Sequence, residues 1–169
     1  GFSTSLTGIL SSFVSLGCVF PLSSIALFRR AVSVKRPVIV LDFGTATTVD
    51  AVGEDGVYQG GCISAGLRVT MDALTANAAM LPNVELNKPE KTLNFTAVGH
   101  IQAGVVGGYV GAMEYLIRQA KAEMGREDAR VVATGGLARF IAGHTPLIDV
   151  VDGELILDGL RMIYERRQT

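Results

Sequence analysis

The residues best suited to chemistry lie together in the stretch VIVLDFGTATTVDAV, where an apolar run ends in an acid, a glycine and three threonines. Gly44 allows a sharp turn and lets an anion approach the bare backbone. Thr45, Thr47 and Thr48 supply hydroxyl and N–H groups that can hold a phosphate. The carboxylate of Asp42 suits the accompanying cation. This stretch therefore predicts a phosphate-binding turn, although threonines that only favour strands and a bulge at Gly44 are the alternative.

A second candidate turn comes much later, in VVATGG, where a strand ending in Thr134 leads through Gly135 and Gly136 into a predicted helix. The first N–H groups of a helix and its dipole favour an anion at such a place. Strand–glycine–helix turns are common, so this one gains its value from pairing with the threonine turn. Neither G-x-G-x-x-G nor GK[ST] occurs, which excludes a Rossmann fingerprint and a P-loop.

Other candidates are weaker. Gly60, Gly61 and Gly66 bracket the segment GGCISAG, which predicts either a floor beneath a small substrate or a close crossing of two backbone segments. The residues alone leave both interpretations open. His100 and His144 have no Cys, Asp or Ser at ligand or triad spacing, so surface or capping roles are predicted for them.

A stripe of glycines marks the longest predicted helix. Gly104, Gly107, Gly108 and Gly111 recur at i, i+3, i+4 and i+7, which places them on one helix face. Each weakens the helix by about 1 kcal/mol relative to alanine. Close packing of another backbone is expected to offset that cost. Packing inside the monomer is slightly favoured over a subunit interface.

Composition narrows the function classes. The chain has 169 residues, of which 49% are hydrophobic, enough for one domain with a real core. The formal charge of −1 gives no reason to expect a nucleic acid as partner. Cys18 and Cys62 are too few for a disulfide framework or a zinc site, so a reducing, cytoplasmic compartment is expected.

The first part of the chain has a different texture. No charged residue occurs from Ser5 to Phe28, and as a helix this run would span about 36 Å, enough to cross a bilayer. Its serines and Pro21 make its hydrophobicity moderate, so a core-packing or non-native leader is preferred and a membrane span is the alternative. We therefore divide the chain into an apolar leader, 1–36, and a globular part, 37–169.

The globular part predicts the elements that would position the two turns. Three strands joined by short linkers, VIVLDF, TTVDAV and VYQGGCIS, form an antiparallel meander. The elements that follow are a helix over 66–80, a loop over 81–94, a long helix over 96–124, a strand and turn over 130–136, a short helix over 137–143, a strand over 147–151 and a closing helix over 154–167. A meander followed by alternating helices and strands is the α/β half-domain plan of ribonuclease-H-like nucleotide-binding kinases.

Six blocks of the chain resemble type III pantothenate kinases, which are also described as accessory-factor homologues. The resemblance runs from about Pro37 to Arg167, and the blocks are VIVLDFGTATTVDAV, DGVYQGGCISAGL, DALTANAAMLPNVEL, QAGVVGGYVG, VVATGGLARFIA and ELILDGLRMIYERR. It implies the actin-like fold of acetate and sugar kinases, built from two duplicated half-domains. It also implies ATP-dependent phosphorylation of pantothenate, the first step of coenzyme A synthesis, with Mg-ATP, a monovalent cation (potassium or ammonium) and a homodimer.

The resemblance also implies roles for particular residues. Asp42 would bind the monovalent cation, and Thr45 would touch ATP. The turn from Thr134 to Gly136 would lie by the nucleotide. The segment LNFTAV stands in the place of a G-K-N-T-like segment of the family, so Thr96 would be the threonine that contacts pantothenate.

The chain departs from the family pattern before residue 38. It has neither the D-x-G-N-T phosphate turn nor the G-x-D-R motif whose aspartate is the general base, and its first acid is Asp42. No catalytic residue is therefore assigned, and the chain alone is expected to have little or no kinase activity. The alternatives are a non-catalytic kinase-like interaction or regulatory module and a form tethered to a membrane through residues 5–28.

Overall fold

The computed structural model describes residues 36–78, 80–87 and 89–166. Its five strands are β1 (Val38–Phe43), β2 (Ala46–Val52), β3 (Tyr58–Ala65), β4 (Arg130–Thr134) and β5 (Val150–Val151). Its helices are α1 (Leu67–Asn77), α2 (Ala97–Gln102), α3 (Gly108–Met124), α4 (Ala138–Ala142) and α5 (Leu155–Arg166). One π turn, Ala103–Gly107, joins α2 to α3.

The five strands form one sheet in the order β3-β2-β1-β4-β5. The first three strands pair antiparallel as a meander, whereas β4 runs parallel to β1 and β5 parallel to β4. Each parallel connection passes through a helix, as parallel strands require. The predicted ribonuclease-H-like half-domain is confirmed.

Strand β1 lies at the centre of the sheet and is buried along almost its whole length. Successive side chains point to opposite faces of a strand. Ile39, Leu41 and Phe43 belong to the large core cluster shared with α1 and α3. Val38 and Val40 belong to a smaller cluster with Leu155 of α5. Asp42 has the same parity as Val38 and Val40, so its side chain lies on the face covered by α5.

The long helix predicted over 96–124 is present but is not uniform. Its middle contains the π turn, in which one extra residue is accommodated within a helical turn. Gly125 adopts a left-handed conformation, with φ of 61°, and ends α3 as expected. Ile101, Met113 and Ile117 are buried along the inner side of the combined helix.

The glycine stripe faces away from the described core, so the described residues do not supply the packing partner that the favoured interpretation expects. Gly104, Gly107, Gly108 and Gly111 are all exposed, and no described atom outside the helix lies within 4 Å of the position a Cβ would take. Packing against the described part of the chain therefore does not explain these glycines. The stripe leaves an open surface along the π turn and the start of α3, on which another backbone could approach closely.

Two further predictions concern the last strand and a membrane span. The strand predicted over 147–151 is reduced to Val150–Val151 at the sheet edge. None of the described helices is long and apolar enough to cross a membrane. The span considered over 5–28 lies outside the described residues, and the division at residues 36 and 37 stays a prediction.

Candidate functional site

The turn between β1 and β2 presents an exposed tip. Gly44, Thr45 and Ala46 are exposed, although both flanking strands are buried. Within the turn, the Gly44 N–H donates to the carbonyl oxygen of Ala46 at 3.1 Å. The backbone thus shapes the tip and leaves the Thr45 hydroxyl free to meet a ligand.

The start of α1 braces this tip. The Gly66 N–H donates to the carbonyl oxygen of Thr45 at 3.0 Å. A Cβ at Gly66 would lie 2.5 Å from that same oxygen and closer still to the carbonyl oxygen of Gly44. Two backbone segments therefore cross closely here, which is one of the two interpretations of the GGCISAG segment.

The second predicted turn lies directly against the first. Gly135 has φ of 90°, and a Cβ there would lie 2.6 Å from Oδ1 of Asp42 and 2.7 Å from the carbonyl oxygen of Phe43. The Leu137 N–H, just before α4, approaches that carbonyl at 3.4 Å. At Gly136, by contrast, no described atom lies within 4 Å of the position that a Cβ would take. The pairing of the two turns predicted from sequence is thus present in the structure.

Three oxygen-bearing side chains form a row across the ends of three adjacent strands. Asp42 on β1 is in register with Thr48 on β2 and with Thr134 on β4. Residues in register share a face of the sheet, so both threonines flank Asp42. The Thr134 side chain is fully buried, and its hydroxyl has no hydrogen-bond partner within the described part of the chain. An unpartnered buried hydroxyl beside a carboxylate fits a hard cation that takes oxygen ligands.

The charges near Asp42, Thr48 and Thr134 also favour a bound cation. Burial raises the pKa of the Asp42 carboxyl, and the nearby negative charge of Asp50 raises it further. Burial likewise raises the pKa of Asp50, while hydrogen bonds from Tyr58 and Thr48 act in the opposite direction. No described Lys or Arg forms an ion pair with either carboxylate. Two partly or fully buried acids without a described counter-charge would be stabilised by a bound cation.

Not every predicted site residue joins this arrangement. The Thr47 side chain is fully buried on the opposite face of β2, where its hydroxyl is hydrogen-bonded to the Tyr109 hydroxyl. Only the Thr47 backbone can therefore contribute to the turn. Thr96 lies at the start of α2, where its hydroxyl oxygen accepts from the Gly99 N–H at 3.1 Å. Its hydroxyl proton stays available for a ligand.

The histidines have local partners. His100 Nε2 is hydrogen-bonded to the carbonyl oxygen of Asn94 at 2.6 Å, and His144 Nδ1 to that of Phe140 at the same distance. Both contacts tie a loop or helix end to nearby backbone. For His100, which is exposed, this agrees with the surface or capping role predicted from the sequence, whereas the Nε2 of His144 is buried and has no hydrogen-bond partner among the described residues.

Sequence reasoning missed two residues next to the site. Asp50 is 4% exposed and holds the hydroxyls of Thr48 and Tyr58. Tyr109 joins α3 to β2 through the hydrogen bond between its hydroxyl and that of Thr47. A signal for Asp50 was present, because it is an acid two positions after Thr48 within a predicted strand and therefore shares a face with that threonine. Nothing in the sequence near Tyr109 points to Thr47.

Comparison with known proteins gives a consistent match. The family model for type III pantothenate kinase matches residues 22–119. The type III pantothenate kinase of Agathobacter rectalis is 44% identical over 131 residues, which cover 78% of this chain and 50% of that protein. That of Moorella thermoacetica is 50% identical over 130 residues, covering 77% of this chain and 51% of that protein. The chain therefore spans about half the length of these curated relatives.

A solved structure shares the fold. A conserved protein of the Baf family from Campylobacter jejuni superimposes with a TM-score of 0.61 at 19% identity. The match covers 90% of this chain and 67% of that one. At this identity the similarity concerns the fold alone.

Proposed function

Because the chain belongs to the type III pantothenate kinase family, we propose that it forms the half of an ATP-dependent pantothenate kinase that holds the nucleotide phosphates. The reaction transfers the terminal phosphoryl group of ATP to a hydroxyl of pantothenate, giving 4'-phosphopantothenate for coenzyme A synthesis. The observation that carries the proposal is the contact of Gly135 with Asp42 and Phe43, which joins two phosphate-type turns at one edge of the sheet.

Each turn has a separate task in this proposal. Thr45 and the N–H groups around Gly44 bind phosphate oxygens, and the backbone from Thr134 to Gly136 lines the other side of the nucleotide. Phosphoryl transfer depends mostly on positioning and on stabilising charge, which rigid backbone turns provide without reorganisation. The Gly66 crossing supports that rigidity, because it fixes the tip on which Thr45 stands.

The cations belong to the same proposal. Mg²⁺ would arrive with ATP, held mainly by the phosphates. The carboxylate of Asp42 and the flanking hydroxyls of Thr48 and Thr134 would hold potassium or ammonium. The bound monovalent ion would supply positive charge near the phosphate turn. The unpartnered hydroxyl of Thr134 supports this ligand set.

Pantothenate is the proposed phosphoryl acceptor, and Thr96 is proposed to touch it. The hydroxyl oxygen of Thr96 already accepts from Gly99, so its proton is directed elsewhere and can be donated to a carbonyl or carboxylate of a ligand. The cytoplasm is the proposed compartment, in keeping with the free thiol of Cys62.

Replacing Thr45 by alanine is expected to weaken binding of a non-hydrolysable ATP analogue about tenfold, the value of one hydrogen bond to a charged group. The midpoint of urea unfolding should stay unchanged, because the Thr45 side chain is exposed. Isothermal titration calorimetry with Mg²⁺ and K⁺ present would measure the affinity. Thr92→Ala, an exposed threonine of the loop before α2, is the control and should bind as the wild type does. Equal affinities for Thr45→Ala and wild type would favour a non-catalytic module instead.

A homodimer formed through the open glycine stripe of the π turn and α3 is the second part of the proposal. Four exposed glycines with free space above them allow two helices to approach closely. The cost of about 1 kcal/mol per glycine is then offset by contact between backbones of two copies.

Gly111→Leu tests that surface. The substitution has open space in the folded chain, so the free energy of unfolding of the monomer should be unchanged or up to about 1 kcal/mol higher. The dissociation constant of the dimer should rise tenfold or more, because the added side chain separates the helices. Sedimentation equilibrium at several concentrations would measure it. Gly153→Leu, an open glycine before α5, is the matched control and should dimerise normally; identical association of both variants would argue against the stripe.

A further inference from the structure

A buried carboxylate that the proposed function leaves unused lies beside the site, on β2. Asp50 is 4% exposed. Its Oδ1 accepts from the Tyr58 hydroxyl at 2.9 Å, and its Oδ2 accepts from the Thr48 hydroxyl at 3.1 Å. Both oxygens of this acid are thus committed to neighbouring hydroxyls.

The adjacent strand leaves room for this arrangement. A Cβ at Gly61 would lie 2.7 Å from Oδ1 of Asp50 and 2.9 Å from the Tyr58 hydroxyl. Any larger residue at Gly61 would therefore push the two partners apart. A buried charge costs several kcal/mol to desolvate, and apolar side chains would fill the same place without that cost. The hydrogen-bond network around Asp50 therefore stabilises the two strands less well than apolar packing would. This indicates a role for Asp50 at the neighbouring site.

The direction in which the Thr48 hydroxyl donates its proton indicates what Asp50 does at the site. A threonine hydroxyl has one proton and two lone pairs. Because Thr48 donates its proton to Asp50, only lone pairs are left for its other neighbours, among them its register partner Asp42. A carboxylate and a hydroxyl that both present lone pairs cannot bond to each other. They can both bind a cation placed between them.

We propose that Asp50 is a positioning residue that takes the Thr48 proton and so makes Thr48 an obligate oxygen ligand for the cation beside Asp42. Tyr58 assists by fixing the other oxygen of Asp50. This inference rests on the proposed function, which places a monovalent cation at Asp42.

The substitution Asp50→Asn reverses the proton without changing the shape of the side chain. The Tyr58 hydroxyl holds the amide oxygen, so the amide nitrogen faces Thr48 and donates to it. The Thr48 proton is then released and turns toward the Asp42 carboxylate, in the place of the cation. Affinity for Tl⁺, used as a probe for potassium and followed by thallium NMR, should fall at least tenfold. The rise in unfolding temperature on adding K⁺ should shrink in parallel.

Two further variants separate positioning from general stability. Thr48→Val removes the ligand oxygen and should show the same loss, whereas Thr48→Ser keeps it and should bind Tl⁺ as the wild type does. In Asp50→Asn/Tyr58→Phe the amide is free to turn its oxygen back to Thr48. Tl⁺ affinity should therefore recover at least in part, although one more hydroxyl has been removed.

The outcomes are distinguishable. A wild-type chain that responds to neither Tl⁺ nor K⁺ would overturn the proposed cation site and this inference together. A wild-type chain that binds Tl⁺, with unchanged affinity in Asp50→Asn or in Thr48→Val, would overturn the inference alone. Should Asp50→Asn fail to fold, Tl⁺ affinity equal to that of the wild type in Thr48→Val would still overturn the inference, because Thr48 would then not be a ligand.

Discussion

Gly135→Ala is expected to lower the free energy of unfolding by about 2–6 kcal/mol and to abolish binding of an ATP analogue. A φ of 90° is costly for alanine, on the order of 1–3 kcal/mol. The new Cβ would also lie 2.6 Å from the Asp42 carboxylate and 2.7 Å from the carbonyl oxygen of Phe43. Overpacking against such groups typically costs about 1–3 kcal/mol more. The carbonyl belongs to the central strand, so relief requires the two turns to separate.

The neighbouring glycine provides the control for this prediction. Gly136 lies in the same turn, has no positive φ and leaves free space where a Cβ would be. Gly136→Ala should keep the free energy of unfolding within about 0.5 kcal/mol of the wild type and keep analogue binding. Urea unfolding followed by circular dichroism and calorimetric titration of the analogue would measure both quantities. Similar behaviour of the two variants would mean that contact between the turns does not shape the site.

Asp42→Asn is expected to change the stability of the chain and its response to K⁺ in opposite directions. The variant should no longer gain stability from K⁺, and binding of the ATP analogue should lose its dependence on K⁺. Without K⁺, however, the variant should be more stable than the wild type at neutral pH. The substitution removes one charge that is desolvated and repelled by Asp50.

The pH dependence follows from the direction of the pKa shift. The folded chain raises the pKa of Asp42 above its ordinary 3.8, so protonation favours the folded state. That contribution to stability is fully present below the unfolded pKa and is lost as pH rises through the higher folded value. Without K⁺, the wild type should lose stability over this window, and Asp42→Asn should lose less. The remaining loss belongs to Asp50, whose pKa is raised as well.

Unfolding measured across this pH range, with K⁺ or with an equal concentration of a bulky quaternary ammonium salt, would test the prediction. Asp72→Asn is a suitable control, because Asp72 is exposed on α1. That variant should keep the K⁺ response of the wild type. A full K⁺ response in Asp42→Asn would place the cation elsewhere or remove it from the proposal.

The sheet and the pairing of its two turns could be predicted because local patterns specify them. In β1 the four residues before Asp42 form a continuous apolar run, which is typical of a strand buried on both faces, and Asp42 interrupts that run near the end of the strand. Gly44 and Gly135 mark sharp turns, and parallel β1 and β4 bring those turns to one edge of the sheet. The register that places Asp42 beside Thr134 comes from the structure.

Which threonine side chains face the candidate site was harder to predict from the sequence, although the underlying rule is simple. Thr47 and Thr48 are adjacent in a strand, so their side chains cannot face the same ligand. Which of them faces the site depends on which side of the sheet α3 covers, and that is a tertiary property. The role of Asp50 depends on hydroxyl partners from two strands, one of them Tyr58 across the turn. No pattern within β2 alone contains that information.

The π turn has a consequence for the rotational phase of the long helix. Ile101, Val105, Tyr109, Met113 and Ile117 are all buried and recur at intervals of four. In a regular α-helix each such interval advances by about 40°, so the last of these side chains would point about 160° away from the first. The extra residue in Ala103–Gly107 absorbs about 100° of this drift, which brings both ends within one apolar stripe. Inserting or deleting one residue in this segment would therefore rotate every later side chain of the helix about its axis. The hydrogen bond between Thr47 and Tyr109 forms only in the rotation that the structure shows.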